Sequence, residues 1–277
     1  MNTIKKYPDN TSYAEVETKE SFTFRINNYE DLWHLNQILD VYRHKNIKPT
    51  VTLPNLLDAQ ADRRFSSNQS SGLKLVCQFL NSMYADFKIF HPHNSELVEG
   101  LMDNVEIIDN VGFIIKVLYE LDGGSTGLNT KTTENLILFS SDAGGFKPLM
   151  KLCDKLNWQG EIYGASKARK YEDGKSKLIQ VIDREDFGGK DILIIDDISV
   201  YGGTFVGLAK MLKERNCGKL YLAISHLTVE NPNSELFTLF DKVFTTNSKN
   251  LDYSVSKGEV YDNLRVKPNN LEVIDLF

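Results

Sequence analysis

Apolar residues recur at helical spacing in YEDLWHLNQILDVYRHKN, SSGLKLVCQFLNSMY, VGFIIKVLYEL, FKPLMKLCDKLN and TFVGLAKMLKER, which predicts five amphipathic helices. Serines precede the second of these as candidate caps, and Asn216 and Gly218 follow the last as its stop. Between the helices lie short β-branched or aromatic runs: PTVTLPN, FKIFH, NLILFS, EIYGAS, LIQVID, DILII, KLYLAIS and KVFTTN. Alternation of the two patterns predicts stacked strand-helix-strand units around parallel sheets, an α/β fold. The stretch ARKYEDGKSK has almost no apolar content and reads as a charged loop. Residues 121–135, LDGGSTGLNTKTTEN, are rich in Gly, Ser, Thr and Asn, and the domain boundary is expected there. Two lobes of similar size follow, 1–125 and 126–277, each a mainly parallel sheet flanked by helices, with a cleft between them.

Composition adds limits. The 277 residues carry 41% apolar and 25% charged side chains, ordinary values for a globular protein. A net charge of −6 argues against a dedicated nucleic-acid binder, which needs a basic excess. No run approaches the roughly 18 apolar residues of a membrane helix, and MNTIKKYPDN lacks the apolar core of a signal peptide. A cytoplasmic protein with no membrane partner is expected. Cys77, Cys153 and Cys217 are widely spaced within apolar-periodic stretches and read as buried free thiols.

The chemistry concentrates in DILIIDDISVYGGT, residues 191–204. An unbroken apolar run suits a strand buried on both faces, and its loop falls at the carboxyl edge of the sheet, where open α/β folds bind ligands. Asp196 and Asp197 can accept hydrogen bonds from sugar hydroxyls or hold a divalent cation. Gly202 and Gly203 let the backbone approach an anion, and Thr204 adds a hydroxyl at a positive helix start. In FSSDAGG, residues 139–145, Asp142 again ends a strand beside two glycines, Gly144 and Gly145, whose N–H groups are available to an anion. No G-x-x-x-x-G-K-[ST] occurs, so a P-loop is excluded.

The first of these motifs resembles the type I phosphoribosyltransferase fingerprint: a hydrophobic strand, two acids and a glycine turn ending in Thr. From about residue 7 to residue 250 the chain is similar to the ribose-phosphate pyrophosphokinases, in which each half is a phosphoribosyltransferase-like lobe. FSSDAGG resembles that family's pyrophosphate loop, S-P-D-x-G-G. GASKARKYEDGK carries Lys167 and Arg169 as the K-x-R of its catalytic loop, cations suited to the charge of a diphosphate in flight. IFHPHNSE is similar to a segment whose His, here His93, is magnesium-associated at the ATP site, with His91 replacing the usual Asp. KYPDNTSY and DAQADRRF resemble the adenine-contact segments, which assigns Tyr7, Asp9, Gln60, Asp62 and Arg63 to ATP, although Thr11, Gln60 and Ala61 depart from the pattern.

The resemblance implies a Mg2+-dependent transfer of the diphosphate of ATP to the anomeric hydroxyl of a 5-phosphoribosyl acceptor. Metal would sit on His93, Asp142, Asp196 and Asp197. The acceptor would lie in the turn of Ser199, Val200, Tyr201, Gly202, Gly203 and Thr204, and the diphosphate at Asp142, Gly144 and Gly145. Val200 and Tyr201 stand where the family commonly has Asp and Thr, the Thr contacting the 5-phosphate. An aromatic there suits a larger 5-substituent, and the chain resembles short, phage-type members that pyrophosphorylate ADP-ribose. Against longer members it lacks the first strand and helix. The expected acceptor is therefore ADP-ribose, with ribose 5-phosphate as the alternative. A base-transferring phosphoribosyltransferase is a rival that leaves segments 58–65 and 89–96 unexplained, and a non-catalytic regulatory homologue is another, which should have lost the loop cations and paired acids. A homo-oligomer built on dimers or hexamers is implied.

Overall fold

The computed structural model describes residues 3–124, 130–172, 175–229, 231, 234–249 and 267–277, without the side chains of 130–132 and 168–179. Two compact units divide between Asp109 and Asn110, Phe277 counting with the first. The division falls one helix before the glycine-rich stretch at which the sequence placed the boundary.

The first unit opens with an antiparallel pair, β1 (Thr3–Lys6) and β2 (Ser12–Glu15). It continues through β3 (Ser21–Thr23), α1 (Tyr29–His44), β4 (Thr50–Leu53), α2 (Gly72–Asn81), β5 (Asp86–Phe90), α3 (Ser95–Leu101) and β6 (Val105–Ile108). Its four-stranded sheet runs β3-β4-β5-β6, every pair parallel. Helical spacing in α1 buries Leu35, Ile38, Leu39 and Tyr42 on one face, against Val51, Leu53 and Ile89 of the sheet. Asn28 caps α1 by accepting from Asp31 N–H at 2.9 Å. Ser71 stands at the N-cap of α2, but its hydroxyl makes no cap bond.

The second unit contains α4 (Val111–Leu121), α5 (Thr130–Asn135), β7 (Leu136–Ser140), α6 (Ala143–Leu156), β8 (Ile162–Gly164), β9 (Ser166–Glu172), β10 (Lys175–Val181), β11 (Asp191–Ser199), α7 (Gly203–Glu214), β12 (Leu220–Leu227), α8 (Glu235–Leu239), β13 (Lys242–Thr246) and β14 (Leu271–Ile274). Six strands form one parallel sheet in the order β14-β13-β12-β11-β7-β8. From β7 the chain crosses to β8 on one side and then to β11 on the other, so the direction of winding reverses between β7 and β11. That is the topological switch point, where the strand ends leave a crevice for ligands. Ile192, Ile194, Phe205, Leu208 and Leu222 belong to one buried core, as the apolar run of β11 requires.

One expectation is corrected here. The charged stretch after β8 is not a loop: β9 and β10 pair antiparallel from Ser166↔Val181 to Glu172↔Lys175. Backbone pairing needs no apolar side chains, so a polar ribbon leaves no periodicity to read. Cys77 and Cys153 are buried free thiols as expected, while Cys217 is only half-buried. No described helix is long and apolar enough to cross a membrane.

Candidate functional site

The register of β7 and β11 builds the site. Ser140 pairs with Ile195, so the next residues of each strand, Ser141 and Asp142 on one side and Asp196 and Asp197 on the other, emerge side by side at the switch point. Ser141 Oγ donates to Asp196 Oδ2, and Asp197 N–H donates to Asp196 Oδ1 at 2.9 Å. Burial, and then the charge of Asp197, push the Asp196 carboxyl up to about 7, against the Ser141 bond that favours its ionised form. Two acids so close are short of positive charge.

Asp142 is differently placed. It caps α6, accepting from Gly145 N–H at 3.0 Å through Oδ1, while Lys167 Nζ donates to Oδ2 at 2.7 Å. Burial raises its carboxyl, but the Lys167 bond and the N–H groups of Gly145 and Gly144 outweigh it and hold it below the usual range. Gly145 has no room for a side chain: a Cβ would stand 2.8 Å from Ser140 Oγ. Lys167 arrives on β9, whose register sets it opposite Gln180 of β10, and Gln180 Nε2 in turn donates to the Ser141 carbonyl at 3.4 Å. Arg169 also falls on β9, but its side chain lies outside the described residues.

The turn 199–204 links β11 to α7. Gly202 takes φ +77° and occupies the N-cap, with no side-chain cap bond, which leaves the first-turn N–H groups of α7 open to an anion. Gly203 and Thr204 are exposed in that first turn. Ser199 is 2% exposed, and its hydroxyl finds no partner among the described residues. Its carbonyl accepts from Thr228 N–H at 2.9 Å and Thr228 Oγ1 at 3.0 Å, which pins the turn to β12. Val200 is exposed at 37% and Tyr201 at 90%.

In the first unit the expected nucleotide residues sit on loops. Tyr7 and Asp9 lie in the β1–β2 turn. The Tyr7 ring lies 4.7 Å from that of Tyr13, and Asp9 accepts from Thr11 Oγ1 and N–H at 2.7 and 3.0 Å, which lowers its carboxyl. Gln60, Asp62 and Arg63 precede α2, with Gln60 and Arg63 exposed. His93 is exposed between β5 and α3. Asn94 Nδ2 donates to Asp62 Oδ2 at 3.1 Å, so segments 58–65 and 89–96 meet. The β1–β2 hairpin is tied instead to α1, through Gln37 Nε2 donating to the Ser12 carbonyl at 2.6 Å.

Among the described residues no group of three or more His, Cys, Asp or Glu gathers as a metal cluster. The Asp196–Asp197 pair nonetheless fits Mg2+, which takes one or two carboxylates and completes its shell with substrate oxygens and water. At Asp142 a cation would compete with Lys167. Ser141 and Gln180 were missed from the sequence; the doubled serine before Asp142 was the available signal for the first.

A parallel sheet with two acids and an uncapped glycine turn at its switch point defines a phosphoribosyltransferase-type α/β domain. The Phosphoribosyl transferase domain family matches residues 103–258, more than half of the chain. The chain belongs to that family. It is 26% identical over 209 residues to the ribose-phosphate pyrophosphokinase of Chlorobaculum tepidum, covering 72% of this chain and 58% of that protein. The enzyme of the same name from Sulfurisphaera tokodaii is 26% identical over 207 residues, 74% of this chain and 66% of the relative. With the Aquifex aeolicus enzyme the identity is 28% over 222 residues, 79% and 67%. The first two matches thus span less than two thirds of those relatives' own length. In structure the chain is similar to phosphoribosylpyrophosphate synthetase from Mycobacterium smegmatis, with a TM-score of 0.71 at 16% identity over 99% of this chain and 86% of that one, a likeness of fold.

Proposed function

We propose that this protein is an ATP-dependent diphosphotransferase that moves the diphosphate of ATP to the anomeric hydroxyl of a 5-phosphoribosyl acceptor. The observation that carries the reading is the pairing of two glycine turns at one switch point, one presenting Asp142 beside Lys167 and the other Asp196 and Asp197 ahead of an uncapped helix start. The names of the relatives support it.

In this reading the acceptor's ribose hydroxyls bind Asp196 and Asp197, and its 5-phosphoryl group takes the open N–H groups of α7 and the Thr204 hydroxyl, with Ser199 buried at the base of the turn. Gly144 and Gly145 bind the diphosphate through their backbone. The anomeric hydroxyl oxygen attacks the β-phosphorus of ATP in line, the bond from that phosphorus to the α,β-bridging oxygen breaks, AMP leaves, and the hydroxyl proton is released to solvent. Lys167, released from Asp142, and Arg169 neutralise the charge spread over the transferring oxygens. Positioning and charge suffice, with no covalent nucleophile. Mg2+ on the Asp196–Asp197 pair would supply further charge neutralisation. Tyr7, Asp9, Gln60, Asp62, Arg63 and His93 are the nucleotide contacts of the proposal, and a homo-oligomer in the cytoplasm is its setting.

A second reading concerns the acceptor. Tyr201 is 90% exposed beside an exposed Val200, an aromatic ring left to solvent in the very turn that would hold the 5-substituent. Stacking on a second base would give it a use, as with ADP-ribose. Mg·ATP offered with ribose 5-phosphate and with ADP-ribose separates the readings by AMP release and product mass. AMP with ribose 5-phosphate alone rejects the ADP-ribose reading, AMP with ADP-ribose alone supports it, and silence with both rejects diphosphate transfer.

A further inference from the structure

We propose that Ser141 is a positioning residue for Asp196, orienting the acid that faces the acceptor and its cation from the end of the neighbouring strand. The inference rests on the reading above, because it assigns Ser141 a task at the same site.

Ser141 is 3% exposed, so it acts through another group and touches no substrate. Its hydroxyl donates to Asp196 Oδ2 across the β7–β11 boundary, while Asp197 N–H takes Oδ1. A lone strand carboxylate is otherwise free to turn about its side-chain torsions. Here each oxygen has a fixed donor, which sets the carboxylate plane and aims its remaining lone pairs at a cation or a sugar hydroxyl.

The donor itself is held. Ala165 N–H bonds the Ser140 carbonyl at 3.0 Å, Ser140 Oγ donates to the Asp142 carbonyl at 2.8 Å, and Gln180 Nε2 reaches the Ser141 carbonyl at 3.4 Å. Orientation therefore passes from a braced backbone to Ser141 Oγ and on to Asp196. The next residue, Asp142, holds Lys167 and caps α6. Adjacent residues of one turn thus fix the acid on the acceptor side and the cation on the diphosphate side. Where a carboxylate ligates a metal, its hydrogen-bonding partners commonly change affinity 10- to 100-fold when removed.

The test compares wild type, Ser141→Ala and Ser141→Thr. Mn2+ binding is read by electron paramagnetic resonance with ribose 5-phosphate present, beside KM for ribose 5-phosphate and for ATP and the melting temperature. S141A should weaken Mn2+ binding and raise the acceptor KM, each about tenfold, leave the ATP KM within about twofold, and S141T should restore both. Equal Mn2+ binding by wild type and S141A overturns the proposal, as does an S141A loss of kcat alone that tracks a fall in melting temperature. No Mn2+ binding by wild type also overturns it. Mn2+ binding that depends on the Ser141 hydroxyl, in a wild type that releases no AMP, would sink the diphosphotransferase reading and leave the positioning role standing.

Discussion

The two units hold their candidate residues in opposite ways. In the second, two of the three site carboxylates are gripped by a side chain from a different element: Asp142 by Lys167 of β9, and Asp196 by Ser141 just after β7. In the first, Tyr7, Gln60, Arg63 and His93 stand exposed on loops, and two of the segments are joined through an amide-to-carboxylate bond, Asn94 to Asp62. On the function proposed above, the contrast follows from what each set is asked to do. Groups that stabilise developing charge must be in place before the reaction, since reorganising them would consume the advantage. Groups that grip a nucleotide can be ordered by the nucleotide itself, at a cost in affinity.

The largest expected effect lies in the braced unit. Asp196→Asn should lower kcat about a thousandfold while stabilising the metal-free protein at pH 8. With its pKa raised from 3.8 to about 7 in the folded state, Asp196 keeps its proton on folding at pH values where the unfolded chain has lost it. Stability is therefore undiminished below about pH 4, declines as pH rises towards 7, and stays lowered above. Removing the charge should return on the order of 1–3 kcal/mol at pH 8 and nothing near pH 4. Thermal melts at the two pH values check this, and a variant less stable than wild type at pH 8 would mean that Asp196 is not a strained acid.

Lys167→Ala comes next, with a drop of about 100-fold in kcat and a smaller change in the KM values. An unchanged kcat would reduce the Lys167–Asp142 pair to a surface contact. Arg63→Ala should be mildest: a KM for ATP raised about tenfold, with kcat within about twofold of wild type. If steady-state kinetics instead show Arg63→Ala losing kcat on the scale of Lys167→Ala, the contrast between braced and exposed residues breaks down.

Much of the fold was legible because α1, α2, α4, α6 and α7 each bury one stripe, and periodicity reports burial directly. The run Ile192–Ile195 announced a strand buried on both faces for the same reason. Short elements such as β3, β6, α3 and β14 escaped, since three to seven residues hold too few repeats to stand out. LIQV of β10 was read as strand, but β9 and the start of β10 escaped, because their pairing is carried by backbone groups common to all residues. At the site, the acids and glycines could be picked out as types in a pattern, whereas the role of Ser141 depends on a partner 55 positions away.

What the sequence determined alone was the local chemistry: an apolar run ending in two acids, a glycine turn free to take a positive φ at Gly202, and a second acid before a helix. Those are properties of consecutive residues and follow from side-chain type and backbone freedom. Which acid would meet which donor was decided by tertiary structure, since Ser141 and Asp196 lie 55 positions apart and Asp142 and Lys167 lie 25 apart. Parallel pairing of β7 with β11 in one register, and return of the β9–β10 ribbon to the β7 end, bring them together. Burial there raises Asp196, while the ammonium of Lys167 lowers Asp142, so two aspartates of one type become chemically different groups.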